Sequence, residues 1–256
     1  MIDPRALVDS KAELDEDVSV GPFAIIEADV RIGRGSSIGP HSIVRAGTRM
    51  GRDNRVFQYA SVGEDPQDKK YNGEPTELIL GDRNVVREFA TLNRGTAQDS
   101  GATRIGSDNL LMAYIHVAHD CQIGDHTIMA NAASLGGHVH INDYAILGGF
   151  TIVHQFCRVG AHSFSQMGSM VQKDIPPFVT VGGHPAKSRG INAEGLKRRD
   201  FPLETISAIK RAYRKLFMSG LRLEDALSLV SEEMADIAEA NQLVEFISSS
   251  QRSVIR

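Results

Sequence analysis

The sequence predicts a mainly β protein: a parallel β-helix wound from six-residue repeats, followed by a C-terminal α-helical domain. Three observations carry this expectation. An aliphatic or Met residue returns at every sixth position from Ile2 through Val8, Leu14, Val20, Ile26, Ile32, Ile38, Val44, Met50, Val56 and Val62. The next residue is often Gly (Gly21, Gly33, Gly39, Gly51), and the fifth place is usually small. Beyond residue 190 this period gives way to helical spacing. Six is neither a helix period nor a simple strand period, so the pattern is an internal repeat. Each hexad then makes one short strand and a turn, and three hexads make one triangular coil. Hexapeptide solenoids wind left-handed, an exception to the usual crossover rule. The expected fold is therefore a left-handed parallel β-helix, with the aliphatic residue inside the prism and Gly serving turns that need unusual backbone angles. Residues eighteen apart should stack about 4.8 Å apart.

The chain of 256 residues is long enough for two modest domains. The change of period places them at 1–184 and 185–256. A formal net charge of -4 gives no general case for nucleic acid, and no apolar run is long enough to span a bilayer. The start, MIDPRALVDSKAEL, lacks the basic and apolar regions of a signal peptide, so a cytoplasmic location is expected. Cys121 and Cys157 both fall at the fifth place, two coils apart. That puts their backbones roughly 9–10 Å apart, too far for a disulfide, and makes them small buried fillers.

Residues 1–62 read as uninterrupted coils. The segment IGRGSSIG at 32–39 fits no nucleotide fingerprint, and the repeat accounts for its glycines. A first loop lies near 63–79 and offers Gln67, Asp68, Lys70 and Tyr71. Its flanking aliphatics, Val62 and Leu80, are eighteen apart, as if one coil's worth of chain had left the wall. Composition alone equally describes a solvated charged loop. A second excursion near 97–104, AQDSGATR, shifts the phase by one and is polar and small, with nothing chemical in it. From Ile105 the period runs through Leu111, Val117, Ile123, Met129, Leu135, Leu147, Val153 and Val159 to Val171, with Ser165 the one polar intruder.

This third run holds seven of the nine histidines. His119, Gly137 and Gln155 share the third place and should form a column on one face. His154 and His138, at the second and fourth places, lie beside it, and His116 should lie near a corner. His126, His140 and His162 read as surface or subunit contacts. The prolines and glycines of IPPFVTVGGHPAKSRG close the coil. Helices follow at 192–199, at 203–219 with Ile206, Ile209, Tyr213, Leu216 and Phe217 on one face, at 223–240, and in a last turn or two at 242–249. Between residues 191 and 215 seven basic side chains (Lys197, Arg198, Arg199, Lys210, Arg211, Arg214, Lys215) stand against three acidic ones (Glu194, Asp200, Glu204). That imbalance suits an acidic protein carrier or a phosphorylated ligand, or an ordinary solvated helix face.

Histidines on one rigid wall have two uses. His116 and His119 with a third ligand would make a zinc centre. Alternatively, His119 is a general base, Asp120 orients its imidazole and the Gly137 N–H faces a developing oxyanion, which is a transfer site without metal. Spacing leaves both open.

The segments LLMAYIHVAHDC, LGGHVHINDYAILGG, TIVHQFCRVGAH, QDKKYNGEPT and INAEGLKRR resemble the UDP-N-acetylglucosamine O-acyltransferases, in matching order from Ile2 to Arg256. The resemblance implies a homotrimer with active sites between neighbouring prisms and no bound cofactor or metal. It implies transfer of a 3-hydroxyacyl group from acyl carrier protein to the glucosamine 3-hydroxyl of UDP-N-acetylglucosamine, the first acylation of lipid A synthesis. It makes His119 the base, Asp120 its partner and Gly137 the oxyanion donor. Asp68 would hold sugar hydroxyls and Lys70 the nucleotide side, while Gln67, His116, His138, His154 and Gln155 would line the sugar and pantetheine cleft. Asn192, Glu194 and Arg198 would hold uridine and phosphate. Met167 matches the position that ends the acyl groove, which implies 3-hydroxydecanoyl as donor instead of 3-hydroxymyristoyl. Alternatives are N-acylation of a 3-amino sugar nucleotide or related lipid A precursor, and a trimeric zinc carbonic anhydrase of the same fold, whose ligand pattern HVAH…HVH does not match.

Overall fold

A computed structural model describes all residues, Met1–Arg256. The chain winds through three sheets of nine, eight and ten strands, visited in turn, as a left-handed parallel β-helix. Most strands are two residues long, because each hexad leaves only its sixth and first places for pairing. Ile25–Ile26 pairs with Ile43–Val44, and His116–Val117 with Ser134–Leu135, each partner eighteen residues on. The first-place side chains point inward and make one continuous core, with Ile26, Val44, Leu92, Val117 and Leu147 almost wholly buried. Each contributes about 1.5–3 kcal/mol. The N-terminal coil has no neighbour on one side, so Ile2 is exposed and Val8 and Leu14 are half-buried.

Several of the polar residues that enter the prism or its corners are paired there. The Ser165 hydroxyl lies 2.9 Å from that of Thr151 and accepts the Gly148 N–H. Asn54, Asn84 and Asn109 stack at the corner between the eight- and ten-stranded sheets. The carboxamide oxygen of each accepts an N–H from the next coil, ending at Thr127. Every such bond spares a buried amide a penalty of about 1–3 kcal/mol.

The second-place glycines serve a purpose other than the one expected. Positive φ belongs to the fourth place, occupied by non-glycine residues such as Tyr59 (62°), Asp120 (59°), His138 (60°) and Phe156 (64°). Gly39 and Gly81 are required instead by close approach: a Cβ there would lie 2.6 Å from Gln58 N and 2.7 Å from Gly106 O of the adjoining coil. The left-handed conformation costs a non-glycine residue roughly 1–2 kcal/mol. Asp and His tolerate it, and aromatic residues offset it by stacking, worth about 0.5–1.5 kcal/mol per pair. Phe23, His41, Tyr59, Phe89 and Tyr114 form such a ladder, with ring centroids 4.9–5.2 Å apart.

The first loop is shorter than the flanking aliphatics suggested. Strands Ser61–Glu64 and Glu77–Leu80 lie on consecutive faces, and Met50 pairs with Leu80 thirty residues on, against the usual eighteen. The insertion is therefore twelve residues, two hexads and not a whole coil, which is why the phase survives. The second excursion adds seven, since Leu92 pairs with Val117.

The coil ends in an antiparallel hairpin, Val179–Gly183 and Ala186–Ile191, joined to the ten-stranded sheet. Four helices follow: α1 (Ala193–Lys197), α2 (Leu203–Met218), α3 (Leu223–Glu233) and α4 (Ala238–Ser248). The single stretch expected at 223–240 is two helices. It breaks after Glu233, where Met234 turns inward and is buried. Their apolar faces share a core with Phe178 and Leu196, and the last residues return to the coil's open end, where Val254 bridges Asp174.

The join between coil and helices involves a histidine expected at the surface. His126 and His140 are indeed exposed, but His162 is half-buried, stacked between Tyr144 and Phe178 and met edge-on by Phe201. Arg199 donates to its Nδ1 (3.2 Å) and to the Tyr144 carbonyl (2.8 Å). Burial, then the Arg199 charge, pushes the imidazole down to about 4. An unfolded chain takes up this proton from about pH 6.5 downward and the folded one refuses it, so stability falls as pH drops from 6.5 towards 4. Thermal midpoints measured between pH 7 and 4.5 should show a shallower acid decline for His162→Gln than for the native chain.

Candidate active site

Successive coils bring two loops and three polar turns to one edge, the corner between the nine- and eight-stranded sheets. The loops at 65–76 and 94–101 both leave a strand of the first sheet and rejoin the second. In the next three coils the same corner carries His119–Asp120, Gly137–His138 and Gln155–Phe156. The third-place column thus lies on a corner and not on a face, because pairing uses the sixth and first places and leaves the third and fourth to turn. His116, expected near a corner, is for the same reason in a strand of the nine-stranded face. Its Nδ1 lies 2.8 Å from the Thr91 hydroxyl, and burial, then His119, lowers its pKa.

His119 lies flat over Gly137. A Cβ on Gly137 would come within 2.6 Å of its Cε1 and 2.8 Å of its Nε2, so only glycine leaves room for the ring. The Gly137 N–H donates to no protein group, while its carbonyl accepts from Phe156 N. His119 Nδ1 donates to Asp120 Oδ2 at 2.8 Å, which leaves the Nε2 lone pair free. Asp120 is about 1% exposed. Burial opposes its charge, but hydrogen bonds from His119 and from the N–H and hydroxyl of Thr96 hold the carboxyl below the usual carboxylate range. The Thr103 hydroxyl anchors its backbone. Asp120 and the two imidazoles crowd within 4.8 Å, yet the carboxylate is already committed to three donors, an arrangement suited to orienting an imidazole and not to a metal cage.

His138 stands edge-on to His119 (5.1 Å), stacks on Phe156 (4.4 Å) and has its Nδ1 2.6 Å from Asp99. The second loop, expected to hold no chemistry, therefore supplies Thr96 to one histidine–aspartate pair and Asp99 to another. Nothing in AQDSGATR signals this, since the contacts span 24 and 39 residues. The first loop is tied to the second through Arg94, which donates to the Tyr71 hydroxyl and pairs with Asp65. Gln67 and Lys70 are exposed, and Asp68 accepts the Lys70 N–H. His154 and Gln155 are exposed further along the edge, and Arg252 lies 3.3 Å from His154.

The remaining expected residues lie at the other two corners. Asn192 caps α1 and donates to the His162 carbonyl, which puts it beside the eight/ten corner with the exposed Glu194–Arg198 pair. Met167, 75% exposed, stands on the ten/nine corner. Both cysteines are free and buried, and burial pushes the Cys121 thiol up to about 12.

The repeat fold with a histidine–aspartate corner defines a transferase of the bacterial hexapeptide class, and a hexapeptide transferase model matches residues 11–46. A model described as UDP-N-acetylglucosamine O-acyltransferase, domain 2, matches residues 174–255. The acyl-[acyl-carrier-protein]–UDP-N-acetylglucosamine O-acyltransferases of Janthinobacterium sp. (strain Marseille) and Halorhodospira halophila are each 56% identical, over 100% of this chain and 99% of theirs. The UDP-N-acetylglucosamine acyltransferase structure from Bacteroides fragilis superposes with a TM-score of 0.98 at 41% identity, covering 100% of both chains. The chain belongs to the acyl-[acyl-carrier-protein]–UDP-N-acetylglucosamine O-acyltransferase family. Gly137→Ala should push the imidazole off the corner and lower turnover in an acyltransferase assay by about 100-fold, with the thermal midpoint nearly unchanged.

Proposed function

We propose that this protein transfers a 3-hydroxyacyl group from acyl carrier protein to the glucosamine 3-hydroxyl of UDP-N-acetylglucosamine in lipid A synthesis. The observation that carries the mechanism is the His119 ring lying on Gly137 with Asp120 at its far nitrogen. His119 Nε2 takes the proton of the sugar hydroxyl as that oxygen attacks the thioester carbonyl. The carbonyl oxygen becomes an oxyanion, met by the free Gly137 N–H. Asp120 stabilises the imidazolium, which returns its proton to the departing thiolate of the carrier. The carbon–oxygen ester bond forms, the carbon–sulfur bond breaks, and no cofactor is consumed. His119→Ala should remove transfer while leaving the assembly intact. Full turnover of that variant, read by mass spectrometry of the product, would overturn the assignment.

Apart from His116, the expected binding residues occupy three corners of one prism, which favours a site shared between subunits. Outward side chains on the nine-stranded face (Leu7, Ile25, Ile43 and Ile152 beside Ser61, Thr91, His116 and Ser134) and the ten-stranded face (Val85, Leu110, Ile128 and Ile146 beside Ser19, Ser37 and Arg55) mix apolar with mostly uncharged polar groups. Those on the eight-stranded face (Glu13, Arg31, Arg49, Arg104, Arg158) are charged. A closed three-fold ring buries one face against each neighbour and leaves the charged one in water. This homotrimer would bring a neighbour's Asn192, Glu194 and Arg198 towards the His119 edge, to hold uridine and phosphate. Asp68 and Lys70 would reach the sugar and nucleotide, with Gln67, His116, His138, His154 and Gln155 lining the cleft.

The exposed Lys210, Arg211 and Arg214 of α2 suit an acidic carrier protein. No helix is long and apolar enough to cross a membrane, and a carrier protein and a nucleotide sugar as substrates favour a reaction in the cytoplasm. Met167 would close the acyl groove to longer chains, each excluded methylene forfeiting about 0.8 kcal/mol of burial. Competition between 3-hydroxydecanoyl and 3-hydroxymyristoyl carriers should favour the shorter, and Met167→Gly should move the preference towards the longer.

A further inference from the structure

The catalytic edge holds a second histidine–aspartate pair besides His119–Asp120. Asp99 comes from the loop at 94–101 and its carboxylate lies 2.6 Å from His138 Nδ1, within hydrogen-bond distance. Exposed ion pairs usually contribute little, since both side chains lose freedom to form them. His138 has already lost that freedom. Its side chain is only 20% exposed, its ring is stacked on Phe156 with an interplanar angle of 8°, and its φ of 60° fixes the backbone beneath it. Its other nitrogen, Nε2, lies 3.9 Å from Asp120 Oδ2. Both ring nitrogens thus face carboxylates, one of them within hydrogen-bond distance. His138 also directly follows Gly137, whose unpaired N–H faces the same corner.

We propose that Asp99 is a positioning residue which keeps His138 turned, so that a ring N–H stands beside the Gly137 amide where negative charge develops. This rests on the catalytic assignment of His119 and Gly137 above, and adds that the loop controls the electrostatics of the oxyanion position. The groups around His138 are Asp99 from the loop, His119 and Asp120 from the preceding coil, and His140 and Arg158 on the adjoining face. Asp174 and Arg252 complete the set across a cleft of about 530 Å³. Of these groups, Asp99 is the one within hydrogen-bond distance of the ring.

The test is the pH profile of kcat for the full chain with acyl carrier and nucleotide sugar, in Asp99→Asn and Asp99→Glu. Removing the charge should weaken the hold on that ring N–H and draw the alkaline limb to lower pH. Turnover at pH 8 should then fall several-fold more than at pH 6.5, with KM for the nucleotide sugar within about twofold. Asp99→Glu should restore most of the native profile. In a His138→Gln background Asp99→Asn should cause no further shift. A native profile in Asp99→Asn, or an equal shift without His138, overturns the proposal. His119→Ala is scored separately: retained turnover there defeats the catalytic assignment itself, whereas lost turnover with an unmoved Asp99→Asn profile defeats only the role given to Asp99.

Discussion

The parallel backbone register between coils is the constraint on which the rest of this molecule depends. Most strands contribute two residues, so a coil is held to its neighbour by a few hydrogen bonds per face, and misplacement by one residue would turn the core outward. The aliphatic first place enforces that register. Glycine at the second place lets adjacent backbones approach to distances that a methyl group would forbid, as at Gly39 and Gly81. With the register fixed, anything placed at the third or fourth position is carried to a corner and repeated one strand spacing away. His119 and Gly137 meet because they are eighteen residues apart.

That constraint also decides where sequence can be inserted. A corner can open into a loop without unpairing a strand, provided the chain re-enters in phase, and insertions of twelve and seven residues do so in consecutive coils at the same corner. The second brings Thr96 to Asp120 and Asp99 to His138, so an apparently featureless stretch completes the hydrogen bonding of the site. Asp120 illustrates the energetics: a buried carboxylate would be costly alone, and three donors, two of them on that loop, stabilise its charge.

The period made the coil, its core residues and the His119–Gly137–Gln155 alignment legible, since these follow from counting in sixes and eighteens. Corners and faces were confused because the count does not say which places pair; the exchange of His116 with the His119 column is the result. The glycines were given the wrong cause because positive φ and close approach select the same residue. Asp99 and the end of α3 were not legible, as one depends on a contact across 39 residues and the other on tertiary packing of Met234 without Gly or Pro to mark it.

The nearest nucleophile to the corner bears on whether the acyl group passes through the protein. Cys121 immediately follows Asp120, but its thiol faces inward, donates to the Gly136 carbonyl at 3.3 Å and is pushed up to about 12 by burial. A thiol so held supplies almost no thiolate at neutral pH, and attack by it would require the coil to open. The serines and threonines about the corner are no better placed: the hydroxyls of Thr96 and Thr103 are engaged with Asp120, the first donating to its carboxylate and the second accepting its N–H. With those groups committed, the exposed edge of His119 is the reactive surface that the corner offers. An imidazole with no nucleophile beside it fits direct transfer between two substrates held at once, the route proposed above.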